Sequence, residues 1–264
     1  MADEGSAARR PVRRAGRRPD AASTPAGVEA GKEAFDIHEV FRRLRAACAH
    51  LPKAAMFQLR DEGYHTPYEQ LVASLISART LDETTIPVCH RLFAHARTPA
   101  AMVALGEAEL VALLRGATFP EPKARDILAL SRTILERYDG KVPDTPEGLT
   151  AFRGVGPKVA ALTLAVGFNK PAICVDIHVH RVTNRWGYVA EPTPERTMAA
   201  LASKLPQQYW IEINERLVPF GKHVCTGPRP RCPTCPLLSM CRQVGVGRGG
   251  VTPSPRHPQA TPRR

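Results

Sequence analysis

The feature that most constrains the fold of this chain is a group of four cysteines near its C-terminus, spaced C-x6-C-x2-C-x5-C. The 17-residue segment 225–241 contains all four thiols, four prolines and a glycine, which leaves few residues for a hydrophobic core. Thiolates are soft ligands that favour iron–sulfur clusters or zinc. We therefore expect an inorganic centre to organise this segment, held by Cys225, Cys232, Cys235 and Cys241.

Two disulfides, four unrelated thiols and a zinc site are the alternatives for these cysteines. Disulfides need an oxidising compartment, and no segment of the sequence resembles a secretory signal. Zinc shares the single C-x-x-C pair, but zinc sites usually contain two close pairs. Here the outer cysteines stand alone, six and five residues away from the central pair. The spacing favours a [4Fe-4S] cluster.

The charge of the chain indicates a polyanionic partner such as nucleic acid. The net charge is +12, of which residues 1–32 contribute +3 and residues 242–264 contribute +5. Any nucleic-acid site on the remaining chain must therefore come from local clustering of charge. No apolar run approaches the roughly 20 residues that a membrane span needs. These features predict a soluble protein with no membrane partner.

Both ends of the chain are predicted to be disordered basic tails, at 1–34 and 242–264. They are rich in arginine, proline, alanine and glycine and lack apolar periodicity. We expect both tails to attract DNA. A mitochondrial transit peptide is the alternative for the first tail, but acidic residues and prolines there argue against an amphipathic helix.

The pattern between the tails is almost wholly helical. Threonine–proline pairs at 66–67, 98–99 and 145–146 combine an N-cap with proline in the first turn. No convincing alternating strand is present. The sequence predicts an all-α protein of about ten short helices, with apolar-periodic stretches at 83–94, 106–115, 122–138, 157–168, 175–185, 194–204 and 207–220.

Residues 146–168 predict a helix-hairpin-helix, which grips the DNA backbone without reading sequence. A short helix leads to the turn Gly154-Val155-Gly156, and a second helix opens at Pro157. The two glycines allow a tight turn and the close approach of another chain. The free N–H groups of the turn and helix start suit a phosphate.

Three polar residues near this hairpin are candidate site residues. Lys158 lies in the first turn of the second helix, where it is either a solvated lysine contacting a phosphate or a nucleophilic amine. Asp176 is either an N-cap, a catalytic acid or both. His178 lies on an apolar run, where a histidine is more often a buried core group than a catalytic one.

Residues 35–241 resemble the endonuclease III family of helix-hairpin-helix DNA glycosylases. The resemblance rests on L-I-S-A at 75–78, G-V-G-P-K at 154–158, V-D-I-H at 175–178 and the four-cysteine loop. It implies two helical domains with a DNA-binding groove between them. The implied units are an N-terminal helix packing with the cluster domain (35–59), a six-helix barrel (60–170) and a C-terminal domain with the [4Fe-4S] loop (171–241).

The resemblance also implies the chemistry. In that family the hairpin lysine attacks C1′ of the damaged nucleotide, which gives Lys158 this role. Asp176 would assist it, with His178 as possible support, and a Schiff base would lead to β-elimination. The predicted function is that of a base-excision repair glycosylase and abasic-site lyase for oxidised pyrimidines in duplex DNA, acting as a monomer. It would be cytoplasmic and nucleoid-associated in a bacterium, and nuclear or mitochondrial in a eukaryote.

Further DNA contacts are expected around the lesion. The chain has Arg79 where the family usually has a glutamine that fills the gap left by the flipped base. Phe119, in the proline-rich loop 117–122, would be the apolar wedge. Arg229 and Arg231, between the first two cluster cysteines, would face DNA. The rival hypotheses are a paralogue with altered lesion choice, a non-catalytic DNA-binding iron–sulfur protein and a zinc-stabilised DNA-binding module.

Overall fold

The computed structural model describes residues 32–247 and is all-helical over that range, as the sequence predicts. The disorder predicted for residues 1–31 and 248–264 lies outside the described residues. The described range contains eleven α-helices and no strand. They are α1 (Ile37–Cys48), α2 (Ala55–Asp61), α3 (Pro67–Ser77), α4 (Asp82–Phe93), α5 (Pro99–Leu113), α6 (Pro120–Arg137), α7 (Pro146–Thr150), α8 (Pro157–Leu162), α9 (Ile177–Trp186), α10 (Pro194–Lys204) and α11 (Glu212–His223).

Threonine caps explain where several helices begin. The side chains of Thr66, Thr98 and Thr145 each accept a hydrogen bond from a backbone N–H in the first turn of α3, α5 and α7. Proline follows each cap, where its missing N–H costs no helical hydrogen bond. Glu69 completes a capping box with Thr66. The three predicted start signals are therefore confirmed.

The helices bury two separate hydrophobic cores. The first core contains buried residues of α2 to α8 and of the π-helix Thr163–Gly167 that continues α8. It extends from Ala54 to Cys174 and also includes Val218 of α11. The second core joins α1 to α9, α10, α11 and the cysteine segment. Phe41 of α1 stacks on Tyr209 at a ring-centroid distance of 3.9 Å.

The two cores support the proposed division into domains and refine one boundary. The sequence-based boundary at residue 59 falls inside α2, whose side chains belong to the first core. We propose that the boundary lies between α1 and α2 instead. The N-terminal helix then packs with the C-terminal region, and residues from 54 to about 174 form the other unit.

The ordered chain extends past both tail boundaries that the sequence suggested. The Glu33 N–H donates to the Ser239 carbonyl at 2.8 Å, and the Val244 N–H donates to the Arg185 carbonyl at 3.0 Å. Residues 32–34 and 242–247 are therefore joined to the cysteine segment and to α9. Within the described residues, no helix has both the length and the apolar character that a membrane crossing requires.

Candidate functional site

A cavity of about 520 Å³ lies between the two cores. Its walls come from α2, α3 and α8 on one side and from α9, α10 and α11 on the other. The cavity brings together several predicted site residues that are far apart in sequence. It is lined by Arg79, Lys158, Asp176 and His178, among others.

The hairpin turn leads into α8 beside this cavity. Gly154 has φ of +82°, and a Cβ there would lie 2.7 Å from Asp126 Oδ2, so only glycine fits without strain. Gly156 has ordinary φ of −91°, and a Cβ there would meet nothing within 4 Å. Val155 points inward and is buried. The outer side of the turn is therefore open backbone, and no side chain caps α8.

Lys158 is an exposed residue in the first turn of α8, and it lines the cavity. Behind it, the Cys174 thiol contacts the Lys158 carbonyl at 4.0 Å. Burial raises the pKa of Cys174 to about 12, so this thiol stays protonated and unreactive. Lys158 therefore has a backbone packed on the first core and a side chain toward the cavity.

Asp176 is the N-cap of α9. Its Oδ1 accepts hydrogen bonds from the N–H groups of His178 and Val179, both at 2.9 Å. The interpretation of Asp176 as an N-cap is thus confirmed. Because the residue is only partly buried and lines the same cavity as Lys158, capping leaves its carboxyl group available for chemistry. Its catalytic role stays a prediction.

His178 lines the cavity but packs closely against its neighbours. Arg181 Nη2 lies 3.1 Å from its Nδ1, and the ring packs so closely on Gly221 that a Cβ there would lie 2.7 Å from Nδ1. Burial lowers the pKa of His178, which favours the neutral ring near pH 7. These contacts are typical of a packed histidine, although one face of it lines the cavity.

Arg79 and Phe119 share an unusual backbone conformation. Their φ values are +58° and +57°, in the left-handed region that side chains other than glycine seldom adopt. Both side chains are exposed, Arg79 at the cavity and Phe119 at the start of α6. Strained, exposed residues of this kind are concentrated at functional sites.

Two apolar residues of the cavity are not among the predicted site residues. Leu81 is 71% exposed and Ile177 is 65% exposed, and both line the cavity. Leu81 lies two positions after Arg79 and Ile177 follows Asp176 directly, which is the signal that could have identified them. Lys222 of α11, which also lines the cavity, donates to Asp82 of α4 at 2.8 Å and so joins its two sides.

The four cysteines of the C-terminal segment line one small cavity. Burial, helped by the neighbouring thiols and opposed by backbone hydrogen bonds, raises the pKa values of Cys235 and Cys241 to about 11. N–H donors face the sulfurs, among them Arg185 Nη1 to Cys225 Sγ and Gln243 N to Cys241 Sγ, both at 3.4 Å. N–H donors to sulfur are a regular feature of iron–sulfur sites. The donor set therefore fits a [4Fe-4S] cluster.

Two further observations concern the cysteine segment. Among residues 32–247, no group of three or more His, Cys, Asp or Glu side chains is arranged to hold a metal ion.

Arg229 and Arg231 are exposed on the loop between the first two cysteines. The loop itself is fixed by hydrogen bonds from the Arg231 N–H to Val224 and from the Thr226 hydroxyl to Arg229. The DNA contacts of both arginines stay predictions.

The fold and the site together define a helical protein in which a lysine just after a hairpin turn and an aspartate line one cavity, and in which four cysteines line another. The family model of HhH-GPD superfamily base excision DNA repair proteins matches residues 72–207. The chain belongs to this superfamily and, by its relatives, to the endonuclease III family. The predicted enzyme class, a DNA glycosylase and abasic-site lyase, is confirmed at the level of the family.

The relatives cover most of the chain. It is 40% identical to endonuclease III of Thermotoga maritima over 184 residues, 69% of this chain and 86% of the relative. It is 31% identical to endonuclease III of Escherichia coli over 203 residues, 77% of this chain and 93% of the relative. A trapped endonuclease III–DNA covalent intermediate, an estranged-adenine complex, matches with a TM-score of 0.69 and 30% identity, covering 78% and 94% of the two chains.

Proposed function

We propose that this protein removes oxidised pyrimidines from duplex DNA and then cuts the strand, with Lys158 as the nucleophile. The observation that carries the proposal is that Lys158 and Asp176 line the same cavity, between two cores and next to the hairpin. The solved relative that forms a trapped covalent intermediate with DNA supports this chemistry. A cavity of about 520 Å³ is within the usual range for a ligand of nucleotide size.

The reaction begins when the damaged nucleotide leaves the stack, because C1′ cannot be reached inside the duplex. The neutral amine of Lys158 attacks C1′, and the base departs with the electron pair of the glycosidic bond. Asp176 accepts the proton that the nitrogen loses and stabilises the cationic sugar. The nitrogen lone pair then expels O4′ from C1′, which opens the sugar ring, protonates O4′ and leaves a Schiff base. The Schiff base acidifies the C2′ proton, whose loss expels the 3′ phosphate oxygen by β-elimination.

The hairpin is the proposed grip on the DNA backbone. Gly156 leaves the N–H groups at the start of α8 uncovered, and its Cα faces open space. A phosphate can therefore approach the backbone closely and accept hydrogen bonds from it. Val155, buried in the first core, anchors the turn. The hairpin then fixes the register of the duplex next to Lys158.

The cluster is proposed as a structural group held by the four cysteines. When bound, it supplies the covalent links that a proline-rich segment with little core of its own lacks. The loop it organises carries Arg229 and Arg231, whose exposed side chains are proposed DNA contacts. We further propose that damaged duplex DNA is the partner and that the protein acts as a monomer.

A second candidate is the same enzyme class with a different lesion choice. The observation that favours it is the character of the cavity wall, where Arg79 is a cation and the exposed side chains of Leu81 and Ile177 are apolar. These side chains would contact the flipped base and its vacated position, so they determine which lesion is bound. The chemistry of Lys158 is the same in both candidates.

Borohydride trapping tests the proposal, because borohydride reduces an imine to a permanent amine. The wild-type protein should form covalent adducts both with a duplex containing oxidised thymine and with an abasic duplex. Lys158→Gln should lower trapping by roughly a thousandfold or more while duplex binding persists. Lys141→Gln, at an exposed lysine after α6, is the matched control and should trap like wild type.

The outcomes separate the candidates. Adducts on the abasic duplex alone would favour the altered lesion choice. Equal trapping by Lys158→Gln would refute Lys158 as the nucleophile. Loss of base removal by about a hundredfold in Asp176→Asn, with trapping on the abasic duplex less affected, would support the role of Asp176 in breaking the glycosidic bond.

A further inference from the structure

Lys123 is a buried cation that the proposed chemistry does not use. It lies in the first turns of α6 and is only 7% exposed. Its ammonium group donates to the carbonyls of Ile76 at 2.6 Å and Ala78 at 2.9 Å, and to the hydroxyl of Thr80 at 2.9 Å. A buried ammonium with three acceptors is fully paired, so it fixes the position of whatever carries those acceptors.

The acceptors belong to the segment that presents Arg79. Ile76 is in the last turn of α3, and Ala78 and Thr80 flank Arg79 on both sides. The two carbonyls are also among those that a helix C-terminus leaves without partners. Lys123 therefore supplies hydrogen-bond donors to the carbonyl groups at the end of α3, and it holds the left-handed backbone of Arg79 in place.

The same group of hydrogen bonds reaches the loop that presents Phe119. The Thr118 N–H donates to the Thr80 hydroxyl at 3.1 Å, and the Thr118 hydroxyl donates to the Arg79 carbonyl at 2.9 Å. The Thr80 hydroxyl thus receives hydrogen bonds from both Lys123 and Thr118. Two exposed residues with positive φ, Arg79 and Phe119, are in this way attached to one network although 40 positions separate them in sequence.

We propose that Lys123, Thr80 and Thr118 are positioning residues that make Arg79 and Phe119 a single rigid element for inspecting the base pair. This inference rests on the proposed function, since it assigns Arg79 and Phe119 to the two strands at the lesion. If Phe119 enters the stack opposite the lesion, the network places Arg79 in the vacated position at the same time. Discrimination between opposite bases then depends on a lysine that touches neither base.

The test measures base removal from duplexes that pair one oxidised pyrimidine with each of the four bases. Lys123→Met keeps the length of the side chain but removes the three donors. It should lower kcat/KM about tenfold or more and reduce the spread among the four duplexes. Lys141→Met makes the same chemical change at an exposed lysine beyond the other end of α6 and should change neither quantity.

A single-stranded abasic oligonucleotide provides the internal control for chemistry. It has no opposite strand to wedge and no paired base to replace, so trapping on it reports Lys158 alone. Lys123→Met should trap on it within about twofold of wild type, because the hydrogen bonds that it removes are remote from C1′. Absence of trapping by the wild type on the abasic duplex as well would instead defeat the proposed function itself.

Thr118→Val provides a second variant in case Lys123→Met does not fold. It removes the hydroxyl bond to Arg79 while Lys123 remains paired. It should narrow discrimination among opposite bases in the same direction. In the wild-type background, the effects of Arg79→Ala and Phe119→Ala on kcat/KM should be non-additive by about fivefold or more. In the Thr118→Val background the same two effects should become additive. Unchanged discrimination in both variants, or additive effects in the wild type, would overturn the proposal.

Discussion

The two glycines of the hairpin should respond to alanine in opposite ways, because they serve different purposes. At Gly154, φ of +82° costs alanine roughly 1–2 kcal/mol. The added Cβ would also lie 2.7 Å from Asp126 Oδ2, whose carboxylate pairs with Arg153 at 2.9 Å and cannot retreat freely. A total loss of about 2–3 kcal/mol in the free energy of unfolding follows.

At Gly156 the same substitution meets no protein atom. Its φ of −91° is open to alanine, and no atom lies within 4 Å of the added Cβ. Alanine reduces the conformational entropy of the unfolded chain, which stabilises the folded protein by about 0.4–1 kcal/mol. Alanine is also a poorer N-cap than glycine, and this loss offsets the gain by about as much. We therefore expect stability within about 0.5 kcal/mol of wild type. The methyl group would nevertheless stand where a phosphate is proposed to lie.

The two substitutions are separated by measuring thermal unfolding and duplex affinity on the same samples. Gly154→Ala should lower Tm by roughly 4–12 °C, at about 2–4 °C per kcal/mol for a chain of this size. Gly156→Ala should leave Tm nearly unchanged and weaken binding by about ten- to a hundredfold, the equivalent of one charge-assisted hydrogen bond. Wild-type affinity in Gly156→Ala would refute backbone gripping, and an unchanged Tm in Gly154→Ala would refute the packing argument.

Three other perturbations test separate features. Burial lowers the pKa of Lys123 to about 8, although the nearby Cys89 raises it. Between about pH 8 and 10.5 the unfolded chain therefore binds more protons than the folded chain. The free energy of unfolding in urea, taken as wild type minus Lys123→Met, should therefore rise with pH in that window. A difference that does not change with pH would contradict the lowered pKa of Lys123. Cys235→Ser should abolish the visible absorbance of the purified protein and unfold the segment at lower temperature, whereas retained absorbance would exclude this cysteine as a ligand. Deleting residues 1–31 and 248–264 should flatten the salt dependence of duplex binding by about 0.9 in log–log slope for each phosphate that the tails neutralise, and an unchanged slope would mean that neither tail touches DNA.

The helices and the hairpin could be predicted because their signals are local. A threonine followed by proline determines a helix start through hydrogen bonds within four residues, as Thr66 and Thr145 do. The left-handed turn at Gly154 is equally local. The motifs around Lys158 and Asp176 were recognisable because each is a short run of consecutive residues, and both residues line the cavity.

The support of the site could not be predicted because it depends on contacts between distant segments. Lys123 reads as an ordinary surface lysine beside Arg125, yet it shares a helical face with the buried Ile127 and contacts residues more than 40 positions away. Its position on that apolar stripe was the available signal. Leu81 and Ile177 are exposed, so no burial pattern could identify them. Their one sequence signal is that they lie beside Arg79 and Asp176.

The pairing of α1 with the C-terminal helices has a consequence for the newly made chain. The first core is nearly continuous in sequence and can close soon after residue 174 emerges, whereas the second core needs α1 and residues as late as Met240. At about 5–20 residues per second, α1 waits roughly 10–40 s for its partners during synthesis. Its apolar face of Val40, Phe41 and Leu44 is uncovered throughout that interval. Interruption late in translation would therefore leave a finished first unit joined to an aggregation-prone helix.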